Sequence, residues 1–423
     1  MQPSLVVSSH SIPAEHAADL IALLPAAGAL SWVRRGEGLV AGGLSAQVET
    51  AGPTRFADAA KWWAELVARA EVDDRVGEPG TGLVSFGSFG FAAEPGGSVL
   101  SVPRWVIGRR GPIAWLTTIT PAGEQPATLE RILAEATPVA TAPALRVGPG
   151  SLSEEDWKAR VADATARINA GDLEKVVLAR DITALGTGML DVRGPLAYLA
   201  AEYLMCWTFH VDGLFGATPE LLVRRERGLV TSRVLAGTIR RTGAAEEDDR
   251  LAGELSRSSK DLEEHEYAVR SVADALEPHC SSMNVPEAPF VLHLPNVMHL
   301  ATDVTGVARD GITSLELAAA LHPSAAVGGT PRADAVDLIA EIEGMDRARY
   351  AAPVGWMDAA GDGEWGIALR SAAIESGADA DSTEGDIRVR LFAGCGVVGS
   401  SDPASELAES QAKLVPIRAS LGL

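Results

Sequence analysis

Three side chains near the C-terminus have a spacing that permits chemistry. Glu406, Glu409 and Lys413 stand at i, i+3 and i+7, so a helix would carry two carboxylates and one amine on a single face. Two close carboxylates repel each other unless a cation lies between them. Oxygen-only ligands of this kind suit Mg²⁺, which takes few protein ligands and keeps waters or substrate oxygens. A solvated face on an acidic protein carries the same pattern. Further upstream, Lys175 opens an apolar run, LEKVVLARDITAL (Leu173–Leu185). A lysine there either snorkels to solvent or, if buried, serves as a base. Glu220 directly follows Pro219; it either caps a turn or acts as a general acid. Arg370, read as an inward strand position, would clamp a carboxylate through two N–H groups. Gly237 and Thr238 offer a backbone N–H and a hydroxyl to an anion, or form an ordinary turn. His299 sits alone in an apolar stretch, either as a core residue or as a catalyst. Cys395, between Gly394 and Gly396, has no base nearby in sequence, so packing of a small thiol is the expected role.

These groups can meet only if rigid elements carry them. The C-terminal stretch Leu391–Ile417 predicts a strand, a turn at Gly394 and Gly396 where a backbone comes close to a ligand, then a helix capped by Asp402 with Pro403 in its first turn. SEED at Ser153–Asp156 is a capping box opening a helix with Trp157, Val161 and Ile168, which ends at Gly171. Thr208–Gly228 reads as two strands around a turn at Ala217–Pro219. Arg233–Gly243 reads as a strand, the Gly237–Thr238 pair, then basic residues. Ser258–Pro278 is a helix whose Glu263, Glu264, His265 and Glu266 crowd one turn. Leu292–Gly306 is strand-like around His299, and Leu321–Arg332 is a Pro/Gly loop leading into the helix Ala333–Glu343. Val354–Glu375 reads as a hairpin whose second strand carries Arg370. Residues 1 to about 120 are short apolar runs punctuated by Gly and Pro, with one amphipathic helix over Ala57–Ala70 and no catalytic constellation. Gly87 and Gly90 open no helix and form no dinucleotide fingerprint. The Pro- and Ala-rich stretch 120–150 is a candidate boundary or a surface excursion within one domain.

Composition sets the outer limits. The chain has 423 residues, 47% of them hydrophobic, and a net charge of −21. Such acidity argues against nucleic acid or an anionic membrane surface as partner, and it means that a negative substrate needs a locally positive or metal-bearing pocket. No apolar run approaches membrane-spanning length, and the N-terminus lacks the features of a signal peptide. Cys206, Cys280 and Cys395 have neither metal nor disulfide spacing, which fits a reducing cytoplasm.

Taken together, KVVLAR, GATPELLV, LAGT, KDLEEHE, VMHLAT, LHPSAAVGGTP, DRARYAAPVGW, GEWGIALR and FAGCGVVGSSDPASELAESQAK resemble, in order, the motifs of the chorismate-utilising enzymes. That family comprises isochorismate, salicylate, anthranilate and aminodeoxychorismate synthases. The likeness runs from about Ser153 to the C-terminus and is looser before it. It implies an α/β (α+β) fold of one large domain over 1–423: two packed, mixed but mostly antiparallel sheets with helices outside. Residues 1–150 would be scaffold and 151–423 the catalytic core. It further implies Lys175 as the base that activates water and Glu220 as the acid that assists departure of the substrate hydroxyl. Glu264, Glu409 and their neighbour Glu406 would be Mg²⁺ ligands holding the ring carboxylate of chorismate. Arg370, Gly394, Gly396 and Lys413 would grip the enolpyruvyl side chain or carboxylates, with His299, Gly237 and Thr238 as further substrate contacts.

Two positions separate the branches by resemblance. Ammonia-using anthranilate synthases usually carry Gln where Lys175 stands, and aminodeoxychorismate synthases usually carry Lys where Ala236 stands. Water is therefore the expected nucleophile, and no glutaminase partner is expected. The chain most resembles stand-alone isochorismate synthases of menaquinone or siderophore pathways. A salicylate synthase, which goes on to eliminate pyruvate, and a non-catalytic chorismate-binding subunit are the alternatives. Ser324, Ala325 and Ser410 depart from the more usual Thr, Pro and Thr.

Overall fold

The structure, a computed structural model, describes residues 4–95, 97–293, 297–375 and 386–423; of Thr238, Lys260, Glu264 and Asp386 it describes only the backbone. Ten strands bear on the site: β1 (Leu30–Arg34), β2 (Lys175–Thr187), β3 (Trp207–Val211), β4 (Leu214–Thr218), β5 (Leu221–Glu226), β6 (Leu229–Arg240), β7 (Val297–Ala308), β8 (Gly363–Ile367), β9 (Ser371–Glu375) and β10 (Asp386–Val397). Three helices do so too: α1 (Glu154–Ala170), α2 (Ser259–Leu276) and α3 (Pro403–Ser420).

Two sheets of 13 and 10 strands build the molecule, and both mix strands from the first 121 residues with strands from the rest. The larger runs β2-β10-β9-β4-β3-β1 and continues into N-terminal strands; the smaller runs β7-β6-β5-β8, passes through the strand Pro353–Asp358 and then continues into N-terminal strands. Pairing is antiparallel except where Leu5–Ser11 meets Glu71–Asp74. One apolar core, with Trp32, Phe86, Phe209 and Trp365, fills the space between the sheets, while a second, with Leu391, Leu414 and Ile417, joins the larger sheet to α3. Burying a side chain such as Ile417 contributes roughly 1.5–3 kcal/mol, so α3 is held by its apolar stripe and leaves its carboxylate face to other uses. The layers match the expected α/β architecture of one large domain. Among the described residues no helix is long and apolar enough to cross a membrane.

Helix ends follow the chain's own signals. Ser153 accepts from the Asp156 N–H at 3.1 Å, and Gly171 closes α1 in the left-handed region at φ 91°. Asp402 accepts from the Ser405 N–H at 2.9 Å, with Pro403 in the first turn of α3.

Four local expectations are corrected. The glycines at 394 and 396 make no turn: β10 runs through both to Val397, because β2 pairs with it residue for residue. A Cβ on Gly394 would lie 2.7 Å from the Leu178 carbonyl oxygen, so this glycine permits a close strand contact. Gly237 and Thr238 do not end their strand either; β6 continues to Arg240 through a bulge between Ala236 and Thr238, with Gly237 at φ 73°. The stretch Thr208–Gly228 forms three strands, not two, with a tight turn at Asp212–Gly213. Arg370 lies between β8 and β9 rather than on a strand, at φ 51°, because the chain crosses there from one sheet to the other.

Candidate active site

Two of the chain's crossings between the sheets lie side by side. Pro219 and Glu220 join β4 of the larger sheet to β5 of the smaller, while Ala368–Arg370 return from β8 to β9. The Ala217 N–H donates to the Arg370 carbonyl at 3.3 Å, and the Ile367 N–H donates to the Glu220 carbonyl at 3.1 Å. The Thr218 hydroxyl donates to the Ile367 carbonyl at 2.6 Å and accepts from the Glu220 N–H at 3.2 Å. Gly216 serves the same junction, since a Cβ there would lie 2.6 Å from the Arg370 carbonyl. Holding Arg370 in the left-handed region costs roughly 1–3 kcal/mol, and these bonds offset it. Among the described residues the Arg370 guanidinium makes no ion pair or hydrogen bond.

Lys175 enters from the larger sheet. Just inside it, the buried Glu343 accepts the Ala179 N–H at 2.8 Å, and Arg347 donates to the Val177 carbonyl at 2.7 Å. These bonds fix the start of β2. Gly396 lies against the Lys175 side chain; a Cβ there would stand 3.0 Å from Cε and 3.7 Å from Nζ. Lys175 and Glu220 both line a cavity of 280 Å³ whose wall is otherwise largely apolar, with Leu221, Val234, Val272 and Ile367 among it.

Glu220 is the electrostatic centre. Burial pushes its carboxyl up to about 7, against the opposing pull of Arg370, then Lys175, then Lys413. A carboxyl so placed holds its proton near neutrality, as a general acid requires. Burial drives His299 down to about 4, helped by the positive charges of Arg370 and Lys413 and opposed by its hydrogen bond to the Gly237 backbone. Its ring is therefore neutral at ordinary pH, and the bulge at Gly237 is what reaches it. Lys413 donates to the Gly394 carbonyl at 3.0 Å and pairs with Glu409 at 2.6 Å. Lys175, Glu220, Gly237, His299, Arg370, Gly394, Gly396 and Lys413 thus belong to one neighbourhood.

The carboxylates of α3 stand beside it. Glu406 accepts from the Ser401 hydroxyl at 2.6 Å. Burial pushes the Cys395 thiol far up, and Glu406 and Glu409 push it further, so both carboxylates bear on one point and Cys395 is no nucleophile. All-oxygen donors one turn apart fit part of the shell of a hard cation. Among the described residues no group of three or more His, Cys, Asp or Glu is close enough to hold an ion alone. The side chains of Glu264 and Thr238 lie outside the described residues, although α2 and β6 carry their backbones.

Other residues at the cavity were not read as functional from the sequence. Arg233, Glu263, Tyr267 and Ser324 line it, and the Ser324 hydroxyl is buried with no hydrogen-bond partner among the described residues. The Pro/Gly loop that carries Ser324 was the available signal. His265 spans from the Ala236 carbonyl, 3.3 Å from its Nδ1, to the Thr302 hydroxyl, 2.7 Å from its Nε2. It therefore locks α2 onto β6 and β7, one residue from Glu264.

The chain as a whole is similar to known proteins. Residues 27–422 match the family model described as chorismate binding enzyme. The isochorismate synthase MenF of Bacillus subtilis is 39% identical over 276 residues, 64% of this chain and 56% of that protein. A salicylate biosynthesis isochorismate synthase of Pseudomonas aeruginosa is 40% identical over 279 residues, 65% of this chain and 56% of that protein. The matches thus span little more than half of those two relatives. The crystal structure of DhbC from Bacillus anthracis superposes with a TM-score of 0.73 at 30% identity, covering 94% of this chain and 97% of that one.

Proposed function

The chain belongs to the chorismate-binding enzyme family, and from that premise we propose that it is an isochorismate synthase, which adds water to chorismate and expels its hydroxyl to give isochorismate. The observation that carries the reading is Glu220, a carboxyl held near pH 7 by burial in the same cavity as Lys175. The reaction is a conjugated 1,5 displacement: one group must take a proton from water while another gives one to the departing oxygen. We assign Lys175 to the first task and Glu220 to the second. A proton leaves water for the Lys175 amine as the new C–O bond forms. Both conjugated ring double bonds shift by one position, and the old C–O bond breaks as Glu220 delivers its proton, so a carboxylate and an ammonium remain to be reset.

Chorismate is a dianion in a protein of net charge −21, and local positive charge must hold it. Arg370 and Lys413 supply that charge, with the neutral His299 ring and the Gly237 backbone beside them. Glu406 and Glu409, with Glu264, would hold Mg²⁺, whose bound charge steadies the ring carboxylate. The apolar wall of the cavity excludes bulk water and strengthens each of these interactions. Lys175, together with Ala236 at the position where a lysine would mark aminodeoxychorismate chemistry, supports water rather than ammonia as nucleophile, so no glutaminase partner is needed. Residues 1–150 act as scaffold and 151–423 as the catalytic core, and the reaction belongs in the cytoplasm.

Incubation of the purified protein with chorismate and Mg²⁺, followed by chromatography, tests the reading. A mixture of chorismate and isochorismate without pyruvate is the expected outcome. Salicylate with pyruvate moves the assignment to salicylate synthase, and product only on adding ammonia removes Lys175 from its role.

A further inference from the structure

Lys175 stands at the end of a strand that loses one of its neighbours just beyond it. On the reading of Lys175 as base, we infer that Arg347 is a positioning residue for catalysis: it sets the strand that carries this lysine against the loop that faces it.

Along one edge β2 is paired only in part. Lys175 and Val176 face Thr330 and Gly329, and the Glu174 and Val177 N–H groups donate to the Thr330 and Gly328 carbonyls at 2.9 and 2.8 Å. Strand pairing on this edge resumes only at Thr183, which faces Gly148. Between these points the backbone is buried, and its polar groups need partners. Side chains supply them. The Val177 carbonyl accepts from Arg347 at 2.7 Å, the Ala179 N–H donates to Glu343 at 2.8 Å, and the Ala179 carbonyl accepts from the Trp157 indole at 3.0 Å. Arg347 and Glu343 thus stand where a neighbouring strand would otherwise run.

Arg347 also reaches across the gap. It donates to the Val327 carbonyl at 2.8 Å, so one guanidinium ties β2 to the loop 324–330. Ser324, Ala325, Ala326 and Thr330 of that loop line the catalytic cavity together with Lys175. Glu343 takes the guanidinium through both oxygens, at 2.6 and 2.5 Å, and the two residues are 2% and 3% exposed. A planar fork meets these fixed acceptors at once, which the point charge of a lysine does not. The first part of the chain covers the face of the fork. The Phe91 ring centroid lies 4.1 Å from the guanidinium carbon, and the Phe91 N–H donates to the Ala348 carbonyl at 2.8 Å. The Phe91 carbonyl lies 2.9 Å from His322 Nε2, at the entry to the same loop. Phe91 therefore braces the fork and the loop together, and any shift of Arg347 passes to Val177, two residues from the amine.

Arg347→Lys is the test, and Arg193→Lys is its control. Arg193 is also buried, pairs with Asp191 through two bonds and donates to the Thr137 and Pro138 carbonyls at 2.9 and 3.3 Å, but none of these partners lines the catalytic cavity. Both variants lower the melting temperature. Only Arg347→Lys lowers kcat, on the order of 10²-fold for a displacement approaching 1 Å, while the KM for chorismate stays close to the native value because Arg370 and Lys413 are untouched. Phe91→Leu leaves the ion pair intact and covers the case in which Arg347→Lys does not fold; its kcat falls less, in the same direction. A second readout needs no turnover. Lysines are few (Lys61, Lys158, Lys175, Lys260 and Lys413), so reductive methylation with isotope-labelled formaldehyde gives a resolved NMR signal for Lys175, identified by its loss in Lys175→Ala. Its titration moves in Arg347→Lys and Phe91→Leu and stays native in Arg193→Lys. A kcat for Arg347→Lys and Phe91→Leu equal to that of Arg193→Lys, or a Lys175 titration that neither variant moves, would overturn the proposal. Native protein that makes no isochorismate would instead remove Lys175 as base, and the titration alone would then decide whether Arg347 positions it.

Discussion

Glu220 and Arg370 occupy matching places on two adjacent chain crossings, one leaving the larger sheet and the other returning to it. The backbone bonds from Ala217 to Arg370 and from Ile367 to Glu220 make the crossings one unit. An acid and the cation that most strongly opposes its raised pKa are therefore set by the same junction, and neither can move without the other.

Neutralising that cation moves the acid. Arg370→Gly keeps the left-handed backbone available while removing the charge, so the Glu220 pKa rises above about 7. The alkaline limb of the rate profile then shifts to higher pH, and the KM for chorismate rises. A limb that stays in place separates Arg370 from Glu220.

Glu220 itself fixes the direction of the pH dependence. Its protonated form is the proposed acid, and burial raises its pKa to about 7. Activity is therefore supported below that value and lost as pH rises through it. Glu220→Gln keeps the shape but cannot donate the same proton; turnover drops by roughly 10²–10⁴-fold, and the limb near pH 7 disappears. Rate profiles of both proteins between pH 5 and 9 decide it.

Lys175→Ala removes the proposed base. Turnover falls by a similar factor, roughly 10²–10⁴-fold, with an unchanged melting temperature, since the side chain lines a cavity and supports no core. Near-full activity would remove Lys175 from the mechanism.

Gly396→Ala tests the positioning of that amine without touching it. The new methyl would stand 3.0 Å from Lys175 Cε, and the flexible side chain must yield. A displacement approaching 1 Å at a reacting group costs on the order of 10²-fold in rate, so kcat falls steeply while the circular dichroism spectrum and melting temperature change little. Unchanged kcat would show that the amine has room to spare.

Glu409→Ala addresses the cation. Mg²⁺ dependence of the rate and affinity for chorismate weaken together if, as proposed, the ion and the ring carboxylate share a site. Removing Mg²⁺ with a chelator abolishes turnover of the native protein. A Mg²⁺ titration identical to that of the native protein would exclude Glu409 as ligand.

Much of the candidate site's local framework is legible in the sequence. Asp402, Pro403, Ser153 and Gly171 mark helix ends because caps are local: the side chain bonds within its own turn, or the left-handed residue closes it. Lys175 at its strand entrance and the carboxylate face of α3 are equally local. The glycines mislead for the opposite reason. A glycine that turns the chain and one that admits a neighbouring strand look alike in sequence, and only the pairing of β2 with β10 shows that Gly394 and Gly396 are of the second kind.

By itself, then, the sequence determined where helices start and stop, which faces are apolar and which residue types are present for proton transfer and anion binding. All of these depend on neighbours a few positions away. Tertiary structure alone decided that Glu220 and Arg370, 150 positions apart, stand on paired crossings; that Lys413 reaches the Gly394 carbonyl; and that Glu220 keeps its proton near pH 7. Burial and field are sums over everything packed around a group. They come into being only when the two sheets close on each other.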